Sequence, residues 1–247
     1  MGGARRVSGK PAFYALSPGG ARDYWTLLHP PYTLWHLSFV ALGASVATTL
    51  KPRLLGLALL AFFLAVGIAA HALDELHGRP LRTAIPRGAL IALAAIGLMG
   101  ALGIGLYGAS IVSWWGLVFM GIGGFLVPAY NLEWFGGRFH TDLWFAVMWG
   151  GFPALAGGYS QTARIDAPIL LVAAGCAYVA GAQRRLSTPV RRLRRRTNAV
   201  TGTMTLDDGS VEPIDGAAMT AAPEGALRLL WIAMVLLAAG LTVARWP

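Results

Sequence analysis

The sequence predicts an all-α polytopic membrane protein, a bundle of about seven transmembrane helices with one small β-hairpin. Three observations carry this. Of the 247 residues, 56% are hydrophobic and 13% charged, about half the charged share of a soluble domain. Apolar runs near the ~20 residues that cross a bilayer core recur along the whole chain. Basic residues also concentrate on alternate connections, the asymmetry by which multi-span chains are oriented. The net charge of +9 is thereby assigned to the membrane surface, and no nucleic-acid partner is implied.

Residues 1–31 form a basic cytoplasmic arm with Arg5, Arg6, Lys10 and Arg22. The arm lacks an apolar core of signal-peptide length, so the first span is expected to act as its own targeting signal. Tyr24, Trp25 and Tyr32 suit a membrane interface. Pro30 and Pro31 end what precedes them and open the next helix. The spans are expected at 32–50, 54–73, 88–107, 110–129, 141–159, 166–184 and 226–245, with Pro153 kinking the fifth. Gly97, Gly100, Gly103 and Gly105 are read as points of close helix approach. Cys176, the one cysteine, is read as a small packing residue. Residues 32–186 thus make a six-span bundle, 187–225 a loop, and 226–247 a seventh span with the C-terminus.

With the N-terminus inside, sixteen basic residues fall on the cytoplasmic side. They are the four of the arm, Arg79, Arg82, Arg87, Arg138, Arg184, Arg185, Arg191, Arg192, Arg194, Arg195, Arg196 and Arg228. Four, Lys51, Arg53, Arg164 and Arg245, fall outside. An integral protein of the cell's inner or plasma membrane follows, N-terminus cytoplasmic and C-terminus outside. The 187–225 loop opens with a polybasic run suited to anionic lipid headgroups or a protein partner. Thr203, Thr205 and Val211 around Asp208-Gly209 then predict a cytoplasmic hairpin.

Chemistry-bearing residues gather on the connections assigned to the cytoplasm. AHALDELHGRPLRTAIPRGAL places His71, Asp74, Glu75 and His77 where an apolar run meets water, followed by Arg79, Arg82 and Arg87. His71, Asp74 and Glu75 share a helix face through i, i+3 and i+4 spacing. That face suits a metal ion or a polar ligand, or is simply a helix end turning hydrophilic. PAYNLEWFGGRFHTD adds Tyr130, Asn131, Glu133, Arg138, His140 and Asp142, and the sixth span ends with Gln183, Arg184 and Arg185. The outer connections are nearly bare, so an active site would open to the cytoplasm. Carboxylates, histidines and arginines together suit a phosphorylated ligand, and apolar spans between them suit a lipid tail. Five histidines fall short of a di-metal site of the desaturase kind.

Four patches resemble the UbiA superfamily of intramembrane prenyltransferases. LLHPPYTLWHLSFVALGASVA is similar to the family's first helix. GIAAHALDELHGRPLRTAIPRGAL resembles its second helix end and first acidic motif. VPAYNLEWFGGRF resembles the connection after its fourth helix, and FHTDLWFAVMWGGFPALAGGYSQT the helix that follows. The resemblance covers roughly 27–185. It implies a helical bundle around a lipid-open cavity that binds a polyprenyl diphosphate through Mg²⁺ and passes the prenyl group to an acceptor. Under it His71, Asp74 and Glu75 hold the metal, and Asp74, Glu75 and Asp142 are catalytic. Arg79, Arg82, Tyr130, Asn131, Arg138, His140 and Arg184 bind substrate. The sequence departs from the family in its span count, seven where members usually have nine, and in both acidic motifs. His71, Glu75 and Arg79 occupy the positions of the first acidic motif, and AQRRLSTPVRRLRRR, without a carboxylate, stands where the second belongs. A non-catalytic lipid-binding or scaffolding descendant of the bundle is the alternative.

Overall fold

A computed structural model describes residues 10–247; Arg5 and Arg6 of the arm lie outside it. The described chain is mostly helical, with one two-stranded sheet. A short helix α1 (Ala21–Leu27) leads into α2 (Pro30–Ser45), which starts at the two prolines. Then come α3 (Pro52–Leu76), α4 (Arg87–Ile111) and α5 (Gly116–Asn131). An irregular turn at Trp134–Gly137 follows, with positive φ at Glu133, Phe135 and Gly136. Continuous helix α6 (142–162), α7 (Ala167–Arg196), strands β1 (Gly202–Thr205) and β2 (Val211–Ile214), and α8 (Gly216–Ala244) complete the chain.

Each expected span has a helix beneath it. Four helices, α3, α4, α7 and α8, are long and apolar enough to cross a membrane. Only 11% to 28% of their most apolar stretches is buried inside the protein. Ile96, Met99, Leu171, Leu229 and Leu236 stand outward on them, a surface that suits lipid rather than water. Helices α2 and α5, at 16 residues each, are about 24 Å long, shorter than a ~30 Å hydrocarbon core.

Helix α2 is the centre, touching α3, α6, α7 and α8. Trp35, Phe39 and Leu42 from it pack with Ala154, Ala173, Cys176 and Ala238. Helices α2 and α6 meet backbone to backbone: a Cβ on Gly43 would stand 1.9 Å from the Ala154 carbonyl oxygen, and one on Gly157 2.1 Å from that of Val40. Only glycine allows this approach.

Two helices carry π-helical turns, α3 at Phe63–Ala70 and α6 at Ala146–Gly151. Such bulges release carbonyls from the helical ladder and cluster at functional sites. Here histidines lie within hydrogen-bond distance of two of those carbonyls: His36 Nδ1 is 2.7 Å from Trp149 O and His71 Nδ1 is 3.1 Å from Gly67 O.

The structure redraws the expected 187–225 loop. Helix α7 continues through Arg196 despite Pro189, and α8 begins at Gly216, leaving 197–215 as the connection. The hairpin is present: Thr205 pairs with Val211 and Gly202 with Ile214 around a turn in which Gly209 has φ +80°. Arg194 forks onto Glu224, NH2 to Oε2 at 2.8 Å, tying α7 to α8 beneath it.

Candidate functional site

Polar side chains from along the whole described chain converge at one end of the bundle around a cavity of about 1250 Å³. The arm contributes Phe13 and Tyr14, and α2 contributes Tyr32 and His36 with His29 just before it. The end of α3 and its loop contribute His71, Asp74, His77, Arg79 and Arg82. Tyr130, Asn131, Glu133 and His140 come from α5 and the connection after it, Trp149 from α6. The polar half of α7 brings Gln183, Arg184, Ser187, Arg191 and Arg195. The sequence grouping of these connections on one side is therefore a grouping in space.

The loop after α3 is built from its own charges. Glu75 is fully buried and accepts from the backbone N–H of Leu81 (2.9 Å) and Thr83 (2.8 Å) and from the Thr83 hydroxyl (2.9 Å). Asp23 in α1 accepts from Ala84 N–H at 2.9 Å. Arg79 donates to the carbonyls of Thr83 and Ile85 at 2.8 and 2.9 Å. These bonds hold a turn with positive φ at Gly78, Arg79 and Arg82.

Aromatic and histidine pairs line the wall. His29 stacks on His71, ring centroids 4.1 Å apart, and its Nδ1 is 2.9 Å from the Tyr14 hydroxyl. Burial holds His29 well below the ordinary histidine pKa, and His71 beside it adds to this. Burial likewise pushes the Tyr14 hydroxyl up, so both are neutral near pH 7. Tyr130 stacks on His140 at 4.4 Å and meets Trp149 edge-on at 5.4 Å. Glu133 stands 3.7 Å from His77 and 3.9 Å from His140.

Four buried polar atoms on this wall have no hydrogen-bond partner among the described residues: Nε2 of His29, the Tyr130 hydroxyl, Nε1 of Trp149 and Oε1 of Gln183. Unsatisfied buried polar atoms are rare in folded proteins and mark places where something else supplies the bond.

Beyond Val66 and Trp149, which line both spaces, lies an apolar cleft between α3, α4, α5 and α6 of about 190 Å³. Leu54, Ala58, Leu98, Leu102, Phe119, Met120, Phe152 and Tyr159 line it. A charged chamber and an oily one thus share a wall.

The expected site residues divide. His71, Asp74, Arg79, Arg82, Tyr130, Asn131, His140 and Arg184 line the cavity. Glu75 does not: both of its oxygens are taken by the loop, so it serves as an anchor and not with His71 and Asp74 as an ion ligand. Asp142 lies outside the wall, paired with Arg184 at 3.0 Å and largely exposed. Arg138 does not reach the wall either. The donor set does not fit a protein-held Mg²⁺. Among the described residues no three metal-ligating side chains converge, whereas Mg²⁺ asks for a near-octahedral set of oxygens. Asp74 stands without a partner carboxylate, Glu224 is clamped by Arg194, and Glu133 faces two histidines.

Sequence reasoning missed Tyr14, Tyr32, His36, Arg191 and Arg195 as site residues. The signal was present on α7: Arg184, Thr188, Arg191 and Arg195 recur at spacings of four and three, one helical face. Compared with family models, with curated proteins and with solved structures, the chain finds no match in any of the three.

Proposed function

We propose that this chain is an intramembrane prenyltransferase of the UbiA kind, which binds a polyprenyl diphosphate and transfers the prenyl group to an acceptor. One observation carries the reading: an arginine-rich cavity that shares Val66 and Trp149 as a common wall with an apolar cleft. A charged head and a long apolar tail are the two things such a pair of spaces would accept together.

In this reading the diphosphate sits against the arginines of α7 and the tail lies between α3, α4, α5 and α6. Breaking the allylic C–O bond leaves the electron pair, and the charge, on the diphosphate. Guanidinium groups fixed in place stabilise that charge without reorganising. The prenyl cation bonds to the acceptor, and the acceptor's proton passes to Asp74, which lines the cavity and whose carboxylate makes no ion pair among the described residues. All seven long helices cross the bilayer, with the cavity end cytoplasmic, as the distribution of basic residues supports. The exposed Arg185, which does not line the cavity, then faces anionic headgroups.

A second reading, a non-catalytic lipid-binding protein, is favoured by the arginine face where a second acidic motif would stand. Turnover separates the two. The purified chain in nanodiscs, given labelled polyprenyl diphosphate and a membrane extract as acceptor source, should release diphosphate. Asp74→Asn should lower release about 10²-fold or more while leaving binding in place. Binding without release in the unsubstituted chain would support the second reading; no binding would remove both.

A further inference from the structure

We propose that the cavity recognises a diphosphate by arginine alone, with no divalent cation held by the protein. The anion site is the inward face of α7, formed by Arg191 and Arg195. The inference rests on the reading of the cavity as a site for a phosphate-bearing lipid and says how that head group is held.

The argument begins with unbalanced charge. Arg191 and Arg195 are half-buried, yet neither makes a carboxylate ion pair among the described residues. There the Arg191 guanidinium donates to the Ser187 and Thr188 hydroxyls of its own helix, both at 3.1 Å. Arg195 donates to the Pro11 carbonyl, at 3.4 Å. A guanidinium removed from water costs free energy unless a counter-charge meets it. Of the four half-buried arginines on this helix, Arg194 has Glu224 and Arg184 has Asp142, whereas Arg191 and Arg195 make no ion pair among the described residues.

Unused donors point the same way. The Tyr130 hydroxyl and the Trp149 indole N–H are buried, unpartnered and part of the same wall. An indole N–H can only donate, so what completes it is an acceptor. A diphosphate offers oxygens on all sides, and guanidinium forks match phosphate bidentately. The carboxylates that would hold a cation instead are committed elsewhere or stand alone, as shown for Glu75, Glu224 and Asp74.

Calorimetry on the full chain in detergent tests this, with inorganic pyrophosphate and farnesyl diphosphate as probes, each in excess EDTA and in excess Mg²⁺. Both probes should bind in EDTA within about twofold of their affinity in Mg²⁺, the farnesyl compound more tightly because its tail enters the cleft. Arg191→Gln and Arg195→Gln should each weaken both probes about tenfold or more, and the outward Arg185→Gln should change neither. Binding that appears only with Mg²⁺ would overturn this inference and leave the phosphate-lipid reading standing. So would binding indifferent to both inward arginines. Failure of both probes in both conditions would overturn the inference and the reading beneath it. The EDTA comparison needs no substitution, so a variant that misfolds does not shield the proposal.

Discussion

Glu75 spends both carboxylate oxygens on a loop that turns back over it, and none of its surface reaches solvent. Removing that carboxylate strands two backbone N–H groups and a hydroxyl in a buried place. Each unsatisfied donor costs about 1–3 kcal/mol, so Glu75→Ala should lose about 3–5 kcal/mol in thermal or denaturant unfolding. Glu75→Gln keeps one acceptor and should lose about 1–3 kcal/mol. Pyrophosphate affinity of folded Glu75→Gln protein should be unchanged with or without Mg²⁺; a loss confined to Mg²⁺ would restore Glu75 as a metal ligand. His29 makes a pH prediction. Its folded pKa lies well below its unfolded value near 6.5 because it is buried beside His71. The unfolded chain therefore takes up a proton that the folded chain refuses, and stability falls as pH drops below about 6.5. His29→Asn tolerates the left-handed backbone at this position (φ 46°) and cannot titrate. Its melting temperature, though lower at pH 7.5, should fall less steeply toward pH 5.5 than that of the unsubstituted chain.

Among the elements, α7 does two jobs along one length. Its first half packs apolar residues on α2 and α6, and its second half carries one arginine face to the cavity and another outward. The Arg194–Glu224 fork fixes that second half to α8, with both side chains about nine-tenths buried. Glu224→Gln should cost about 3–5 kcal/mol, since it leaves a buried guanidinium uncompensated, and a paired Arg194→Met, Glu224→Leu change should recover most of it. Recovery absent from the double variant would mean that α7 is held elsewhere. The helices were legible because twenty-residue apolar runs have few other uses in a chain this poor in charge. The hairpin was legible because Asp208-Gly209 supplies a turn and Gly209 the positive φ. The extension of α7 to Arg196 was hidden by Pro189 and by seven arginines that also satisfy the positive-inside rule. The role of Glu75 was hidden for a different reason. A carboxylate at a membrane edge looks the same whether its partner is an ion or a backbone N–H six and eight residues along. Only the positive φ of Gly78, Arg79 and Arg82, which sequence shows for the glycine alone, turns the loop toward it.

The whole molecule is polarised: most of its arginine side chains gather at one end, while the other holds Lys51, Arg53, Arg164 and Arg245, the last donating to the carbonyls of Ala47 and Thr48. Apolar side chains stand outward between the two ends. A bilayer placed around that belt has the cavity opening on one side and the α8 C-terminus on the other, provided the shorter helices α2 and α5 cross with it. Under the proposed seven-span arrangement their shortfall against the hydrocarbon core would be met by tilting neighbours or local thinning, at fractions of a kcal/mol per Å. The proposed orientation follows the basic residues, with the cavity end cytoplasmic. With Cys176 replaced by Ala, single cysteines at Gly209 and Trp246 should report opposite faces. In intact cells an impermeant maleimide should label Trp246→Cys at once and Gly209→Cys only after the membrane is opened. The reverse pattern would turn the molecule over and expose the cavity to the exterior, away from any cytoplasmic diphosphate. Labelling of both positions from one side would mean an even number of crossings between the hairpin turn and the end of α8, which removes α8 as a span. The hairpin thus serves as the marker: its turn is exposed, its register is fixed by the Thr205–Val211 pair, and it joins the arginine end of α7 to the start of α8.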